Sequence, residues 1–254
     1  MKQNLFSIEG KTAIVTGGRQ GIGKVISNYL ADAGANIVIV DIKDASFRVK
    51  EIEDEFGVKA FFVMADVANK NDVRAMMKEV EKLTGAPDIL FNNAGICVHK
   101  PSLELEDGDW ERVIDVNLSG VFYTACEFAR CLIANNKGGS IINMASMSAT
   151  IVNIPQRQAA YNASKAGVVH LTKSLAVEWI DKNIRVNCIS PGYTKTEMTG
   201  SVRQDWQDTW VGLTPKNRMC NPGELAGAVI YLASDASSFT NGCDIIIDGG
   251  YSIV

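Results

Sequence analysis

Thr16-Gly17-Gly18-Arg19-Gln20-Gly21-Ile22-Gly23 is the most constraining stretch of this 254-residue chain. A β-branched apolar run over 12–16 precedes it and an apolar-periodic segment over 22–33 follows, so its glycines sit between a strand and a helix. Gly17, Gly21 and Gly23 permit a tight turn and let backbone N–H groups approach an anion closely. The helix start adds unsatisfied donors and the positive end of its dipole. Gly17, Arg19, Gln20, Gly21, Ile22 and Gly23 are therefore predicted to cradle the pyrophosphate of a dinucleotide.

Outward from this turn the chain alternates. Short apolar runs over 12–16, 36–41, 60–65, 89–92, 140–144, 185–189 and 244–248 read as strands buried on both faces of a parallel sheet. Helix-like segments over 22–33, 71–84, 110–135, 161–181 and 222–232 separate them. This rhythm predicts an α/β fold: a doubly wound parallel sheet with helices on both faces, in a single domain over 1–254. The rhythm breaks at 194–221, where Met198, Trp206, Trp210, Leu213 and Met219 stand among polar residues. That region is read as a lid over a substrate or as a pair of short helices capping the core.

Asp41 closes the second strand, where a carboxylate accepts hydrogen bonds from adenosine ribose hydroxyls and repels a 2′-phosphate. The expected cofactor is therefore NAD rather than NADP, although Arg19 and Lys43 lie close enough in sequence to neutralise such a phosphate. Asp66 and Val67, at the end of the third strand, are placed at the adenine. A turn or helix-capping role is the alternative for Asp66.

Composition excludes several classes. A net charge of −4 without a basic stripe argues against nucleic acid as a partner. The opening Met1-Lys2-Gln3-Asn4-Leu5-Phe6 has too short an apolar run for a signal peptide, and every apolar run is strand-sized. A cytoplasmic protein with no membrane partner is expected. Six scattered cysteines without a CxxC pair, and only two histidines, predict no metal site.

Tyr161-Asn-Ala-Ser-Lys165 places a phenol and an ammonium one helical turn apart. The ammonium should stabilise the phenolate, lower its pKa from about 10, and let it exchange a proton with an alcohol or carbonyl.

Taken together, the glycine turn, Asn92-Asn93-Ala94-Gly95, Asn117, a serine near 146, the Tyr161/Lys165 pair and Pro191-Gly192 make the chain resemble a short-chain dehydrogenase/reductase over nearly its whole length. The resemblance implies a Rossmann-like seven-stranded sheet, a nicotinamide cofactor and a homotetramer. It also implies that Tyr161 is the general acid/base and that Lys165 bonds the nicotinamide ribose. Ser146 would hydrogen-bond the substrate oxygen, and Asn117 would hold a water in a proton relay. Asn92, Asn93, Ala94 and Gly95 would line the cofactor's path, and Pro191, Gly192 and Thr194 would meet its carboxamide. The strand end selects Ser146 as the catalytic serine, whereas counting back from Tyr161 selects Ser148.

The loop Thr150-Ile151-Val152-Asn153-Ile154-Pro155-Gln156-Arg157-Gln158 is rich in donors and acceptors. Asn153, Arg157, His99 and Ser148 are the candidate substrate contacts. The loop is similar to that of polyol dehydrogenases and ketose reductases of the family, which implies a small hydroxylated substrate. A sugar acid, paired with Arg157, is an alternative. A 3-oxoacyl-carrier-protein reductase and a non-catalytic dinucleotide-binding regulator are two others.

Overall fold

Strand β1 (Thr12–Thr16) is buried along its whole length, and its side chains divide between two cores. Ala13 and Val15 enter one, Ile14 the other. Strand β2 (Asn36–Asp41) does the same, with Ile37 and Ile39 on the first face and Val38 and Val40 on the second. Each such aliphatic side chain contributes about 1.5–3 kcal/mol on burial. A strand that is apolar at every position is satisfied only between two helical layers, and this computed structural model, which describes residues 4–254, has that arrangement.

The remaining elements in chain order are α1 (Gly21–Asp32), α2 (Ser46–Phe56), β3 (Ala60–Met64), α3 (Lys70–Thr84), β4 (Ile89–Asn92), α4 (Asp109–Ile114), α5 (Gly120–Ala134), β5 (Gly139–Met144), α6 (Ala159–Glu178), β6 (Ile184–Pro191), α7 (Glu197–Gly200), α8 (Gln204–Leu213), α9 (Ala226–Ala233) and β7 (Asp244–Ile247). The sheet has seven strands in the order β3-β2-β1-β4-β5-β6-β7, and every pairing is parallel. The strand order reverses between β1 and β4, which opens a crevice at the carboxyl ends of these two strands. The glycine turn leaves β1 into that crevice. Met1–Gln3, part of the opening read for a signal peptide, lie outside the described residues. No helix among the described residues is long and apolar enough to cross a membrane.

Two local features depart from the sequence expectation. Helix α2 is not among the segments predicted, because only Arg48 and Ile52 of its eleven residues are buried and no apolar stripe marks it. The helix predicted over 110–135 is interrupted by a π-helical turn, Asp115–Ser119, centred on Asn117. Such single-turn widenings concentrate at functional sites. The region 194–221, read as a lid or a pair of short helices, contains α7 and α8, and its two ends are joined by a bridge between Thr194 and Cys220.

Candidate active site

The glycine turn is shaped by contacts that allow no side chain. Gly17 and Gly21 have φ of +64° and +58°. A Cβ on Gly23 would lie 2.2 Å from the Gly17 carbonyl oxygen, so this glycine packs helix α1 against the turn without lining the cleft itself. Asn93 staples the turn to β4, its Nδ2 donating to the carbonyls of Thr16 (2.9 Å) and Gly17 (3.1 Å). Thr16 Oγ1 accepts in return from the N–H groups of Asn93 and Ala94. Helix α1 begins with no side-chain cap and no acidic residue in its first turn. Its first N–H groups and dipole are thus left for an anion.

A cleft of about 810 Å³ runs from this turn. Gly17, Arg19, Gln20, Gly21, Ile22, Asp41, Asp66, Val67, Asn93, Ala94, Gly95, Tyr161 and Lys165, all named from the sequence as cofactor contacts, border it. The Asp41 carboxylate accepts from the backbone N–H groups of Arg19 (3.2 Å) and Lys43 (3.1 Å), fixing both to the rim. The Arg19 guanidinium bonds the Asp44 carbonyl and Gln20. Asp66 accepts from the Ala68 N–H, the turn role weighed for it. Asn92 is a correction. It is buried between the sheet and α5, donating to Asn143 and Val121 and accepting from Thr124, and does not border the cleft. Side chains on a strand alternate in direction, and residue 92 is still in β4.

A second chamber, of about 140 Å³, adjoins the cleft, and Tyr161 borders both. Ser146, Ser148, His99, Asn153, Pro191, Gly192 and Thr194 line it. Arg157 is again a correction: it is exposed and borders neither space. Gln156 and Gln158, its neighbours, are buried inward, and in an extended segment the residue between two inward side chains points out. Ser146 Oγ accepts from the Ser148 N–H and donates to Ser148 Oγ at 3.0 Å, so both candidate serines are buried side by side.

Lys165 is buried, and its Nζ donates to the Met144 carbonyl at 2.6 Å. Burial lowers its pKa to about 8. The Tyr161 phenol is not lowered, as expected from its neighbour, but pushed up to about 12 by burial, with a hydrogen bond from Ser146 acting against the shift. The ammonium lies 5.6 Å from the ring centroid and hydrogen-bonds Met144, not the phenol, and desolvation is the largest influence on Tyr161. Asn117 braces the neighbouring loop: its Oδ1 accepts from the Ile96 N–H (2.8 Å), and its Nδ2 donates to the Ile96 carbonyl and to Ser164. A Cβ on Gly95 would sit 3.3 Å from Asn117 Oδ1 and 3.6 Å from Lys165 Nζ, so Gly95 keeps open the corner between them.

Sequence reasoning missed Tyr193, Thr196 and Cys97, all of which line the smaller chamber. Tyr193 directly follows Pro191-Gly192, and that adjacency was the available signal. Among the described residues no group of three metal-ligating side chains comes together.

An uncapped helix start above a glycine turn fits a dinucleotide, and a buried Tyr/Lys pair beside it fits carbonyl and alcohol chemistry. The chain belongs to the short-chain dehydrogenase/reductase family. The family profile described as "Enoyl-(Acyl carrier protein) reductase" matches residues 17–252. The chain is similar to the sorbose reductase of Candida albicans, at 42% identity over 98% of this chain and 89% of the relative. It is similar to a probable NADP-dependent mannitol dehydrogenase of Yarrowia lipolytica, at 41% identity over 97% and 89%. Among solved structures it is similar to a gluconate 5-dehydrogenase from Burkholderia cenocepacia in complex with NADP and tartrate, with a TM-score of 0.94 and 38% identity over 99% and 98% of the two chains. The protein is an oxidoreductase that transfers a hydride between a nicotinamide dinucleotide and a secondary alcohol or ketone.

Proposed function

We propose that this enzyme interconverts a polyol and the corresponding ketose, with NAD(H) as the cofactor. The observation that carries this reading is the position of Tyr161 between the long cleft and a small chamber walled by buried amides and serines. The bound nicotinamide supplies or accepts the hydride. In the reducing direction Tyr161, which holds its proton tightly, donates it to the carbonyl oxygen; in oxidation it receives the proton back. Ser146 donates a hydrogen bond to the same oxygen and stabilises the charge that develops there. Lys165 places a cation beside the same wall of the cleft, 5.6 Å from the Tyr161 ring centroid. Both N–H hydrogens of Asn117 are used by Ile96 and Ser164, so its relay role rests on the remaining lone pair of Oδ1, which faces the corner kept open by Gly95.

Asp41 carries the choice of NAD, since a carboxylate at the rim disfavours a 2′-phosphate. Arg19 and Lys43 stand at the same rim and are the residues that would receive one. The sugar-acid alternative is weakened by the outward position of Arg157, which removes the one cation assigned to a carboxylate. Residues 194–221, in which Met198 and Trp210 border the smaller chamber, act as its lid within a single domain. A homotetramer would cover the exposed apolar side chains Phe122, Val177 and Ile180.

The test is a panel of polyols, ketoses and sugar acids with both cofactors. Turnover of a polyol or ketose at least tenfold more efficiently than that of apolar ketones is the expected result. Exclusive turnover of apolar ketones would overturn the substrate class, and tighter binding of NADPH than NADH the cofactor assignment.

A further inference from the structure

One of the amides that wall the smaller chamber, Gln156, has its orientation dictated by a residue of the lid, and this inference rests on the chamber being the substrate site. The indole N–H of Trp210 is a donor only. It lies 2.9 Å from Gln156 Oε1, which fixes that atom as the carbonyl oxygen and turns the Gln156 NH₂ toward the Tyr193 hydroxyl, 3.0 Å away. Asn153 is fixed from its other side: its Oδ1 accepts from Gln158 at 3.1 Å, so its NH₂ also donates to the Tyr193 hydroxyl, at 3.0 Å.

Two incoming donors fill both lone pairs of that hydroxyl, and its own proton must then point away from the amides. On that side the Tyr251 ring packs edge-on to that of Tyr193, at 81°. Trp210 completes the unit by stacking flat on Tyr193, with ring centroids 4.2 Å apart and planes at 6°. Asn153 and Gln156 are both 3% exposed, and each retains one N–H after these bonds.

We propose that Trp210 is a specificity-determining residue whose indole N–H sets the polarity of the chamber wall. It makes Gln156 present a donor, beside that of Asn153, to a substrate whose oxygens, away from the reacting carbon, accept hydrogen bonds. The ligand class is a compound with hydroxyl or carbonyl oxygens on carbons adjoining the reaction centre, not an apolar ketone.

Trp210→Phe tests this, because it keeps the stacked ring and removes the donor, freeing Gln156 to invert. The expected result is a KM for the best polyol or ketose raised about tenfold, with kcat within about threefold, as for loss of one ordered hydrogen-bonding contact. The dissociation constant for NADH stays at the wild-type value. Gln156→Glu still accepts from Trp210 but, ionised, has no donor for Tyr193, and it should raise KM in the same way. The double variant should be no worse than the poorer single one, since both break one circuit. If Trp210→Phe fails to fold, Tyr193→Phe interrogates the same circuit from its other end, with the same KM rise expected. A KM within twofold of wild type in the folded variants, or losses shared equally by kcat and NADH binding, overturns the proposal. A wild-type enzyme that turns over only apolar ketones overturns the functional reading instead, so the two failures are distinguishable.

Discussion

Lys165 donates its ammonium hydrogen bond to the Met144 carbonyl at the end of β5, at 2.6 Å, and not to the phenol of Tyr161 one turn away on the same helix. This separates the two members of the pair energetically. Burial drives the lysine toward its neutral form and the tyrosine toward its neutral form as well, so each resists the charge its chemistry needs.

Lys165 therefore carries a stability cost that depends on pH. Its folded pKa of about 8 is below the ordinary lysine value of 10.5, so between these values the unfolded chain binds more protons and stability rises with pH. At neutral pH, Lys165→Met should raise the unfolding free energy, by about 3 kcal/mol at most before the lost bond to Met144 is discounted. Urea titrations of both proteins from pH 7 to 10 check this. The difference between the curves isolates the lysine from the buried thiols of Cys97 and Cys131, which are pushed up from 9.0 and act in the opposite sense. A gap that does not narrow as pH rises would refute the assignment.

Tyr161→Phe removes a phenolic hydroxyl that borders both the cleft and the chamber. Its kcat should fall by about 10²–10⁴-fold, the range for loss of general acid–base catalysis. NADH titration by fluorescence should give an affinity within a few-fold of wild type. Activity near the wild-type level would remove Tyr161 from the chemistry.

Ser146 and Ser148 are adjacent, 3.0 Å apart, and their alanine variants should nonetheless differ. Ser146→Ala should lower kcat by about 10²-fold, in the manner of a lost donor to a developing oxyanion. Ser148→Ala should act chiefly on KM. Steady-state kinetics on the best substrate decide between them, and the reverse pattern would exchange their roles.

Gly23→Ala would set a methyl carbon 2.2 Å from the Gly17 carbonyl oxygen, where neither backbone has room to yield. The expected outcome is a stability loss of about 1–3 kcal/mol together with a cofactor affinity weakened beyond detection. Calorimetry with and without NADH measures both. An unaltered affinity would mean that the turn does not hold the pyrophosphate.

Asp41→Asn keeps the size of the side chain and removes the charge that repels a 2′-phosphate. The ratio of kcat/KM with NADH to that with NADPH should fall at least tenfold. A ratio that does not move would assign the preference to Arg19 and Lys43.

Much of this was legible in the sequence where local chemistry and periodicity agree. Continuous apolar runs such as Ile37–Ile39 admit only a strand buried on both faces, and glycines between a strand and a helix admit few turns. The sequence was less informative wherever a side chain's direction depends on partners far along the chain. Arg157 reads as a substrate contact until Gln156 and Gln158 are seen to take the inward positions. Asn92 reads as part of the cofactor path until its bonds to Asn143 and Thr124 are visible. The pKa of Tyr161 depends on where the Lys165 ammonium is engaged, and helix spacing says nothing about Met144.

The staple between the glycine turn and β4 has a consequence for how the molecule comes into being. Thr16 and Asn93 are bonded across 77 positions of sequence, and β2, β3 and their connecting helices lie between β1 and β4 along the chain. A chain emerging from its N-terminus can tie the turn to Val40 and Asp41 early, but the staple itself waits until residue 93 is available. The loop-closure entropy of that long excursion must be overcome before the contacts that reward it exist, which makes such parallel pairings slow to form. The affinity for a dinucleotide thus belongs to the assembled sheet, and a fragment ending before β4 would carry the glycine motif without the site.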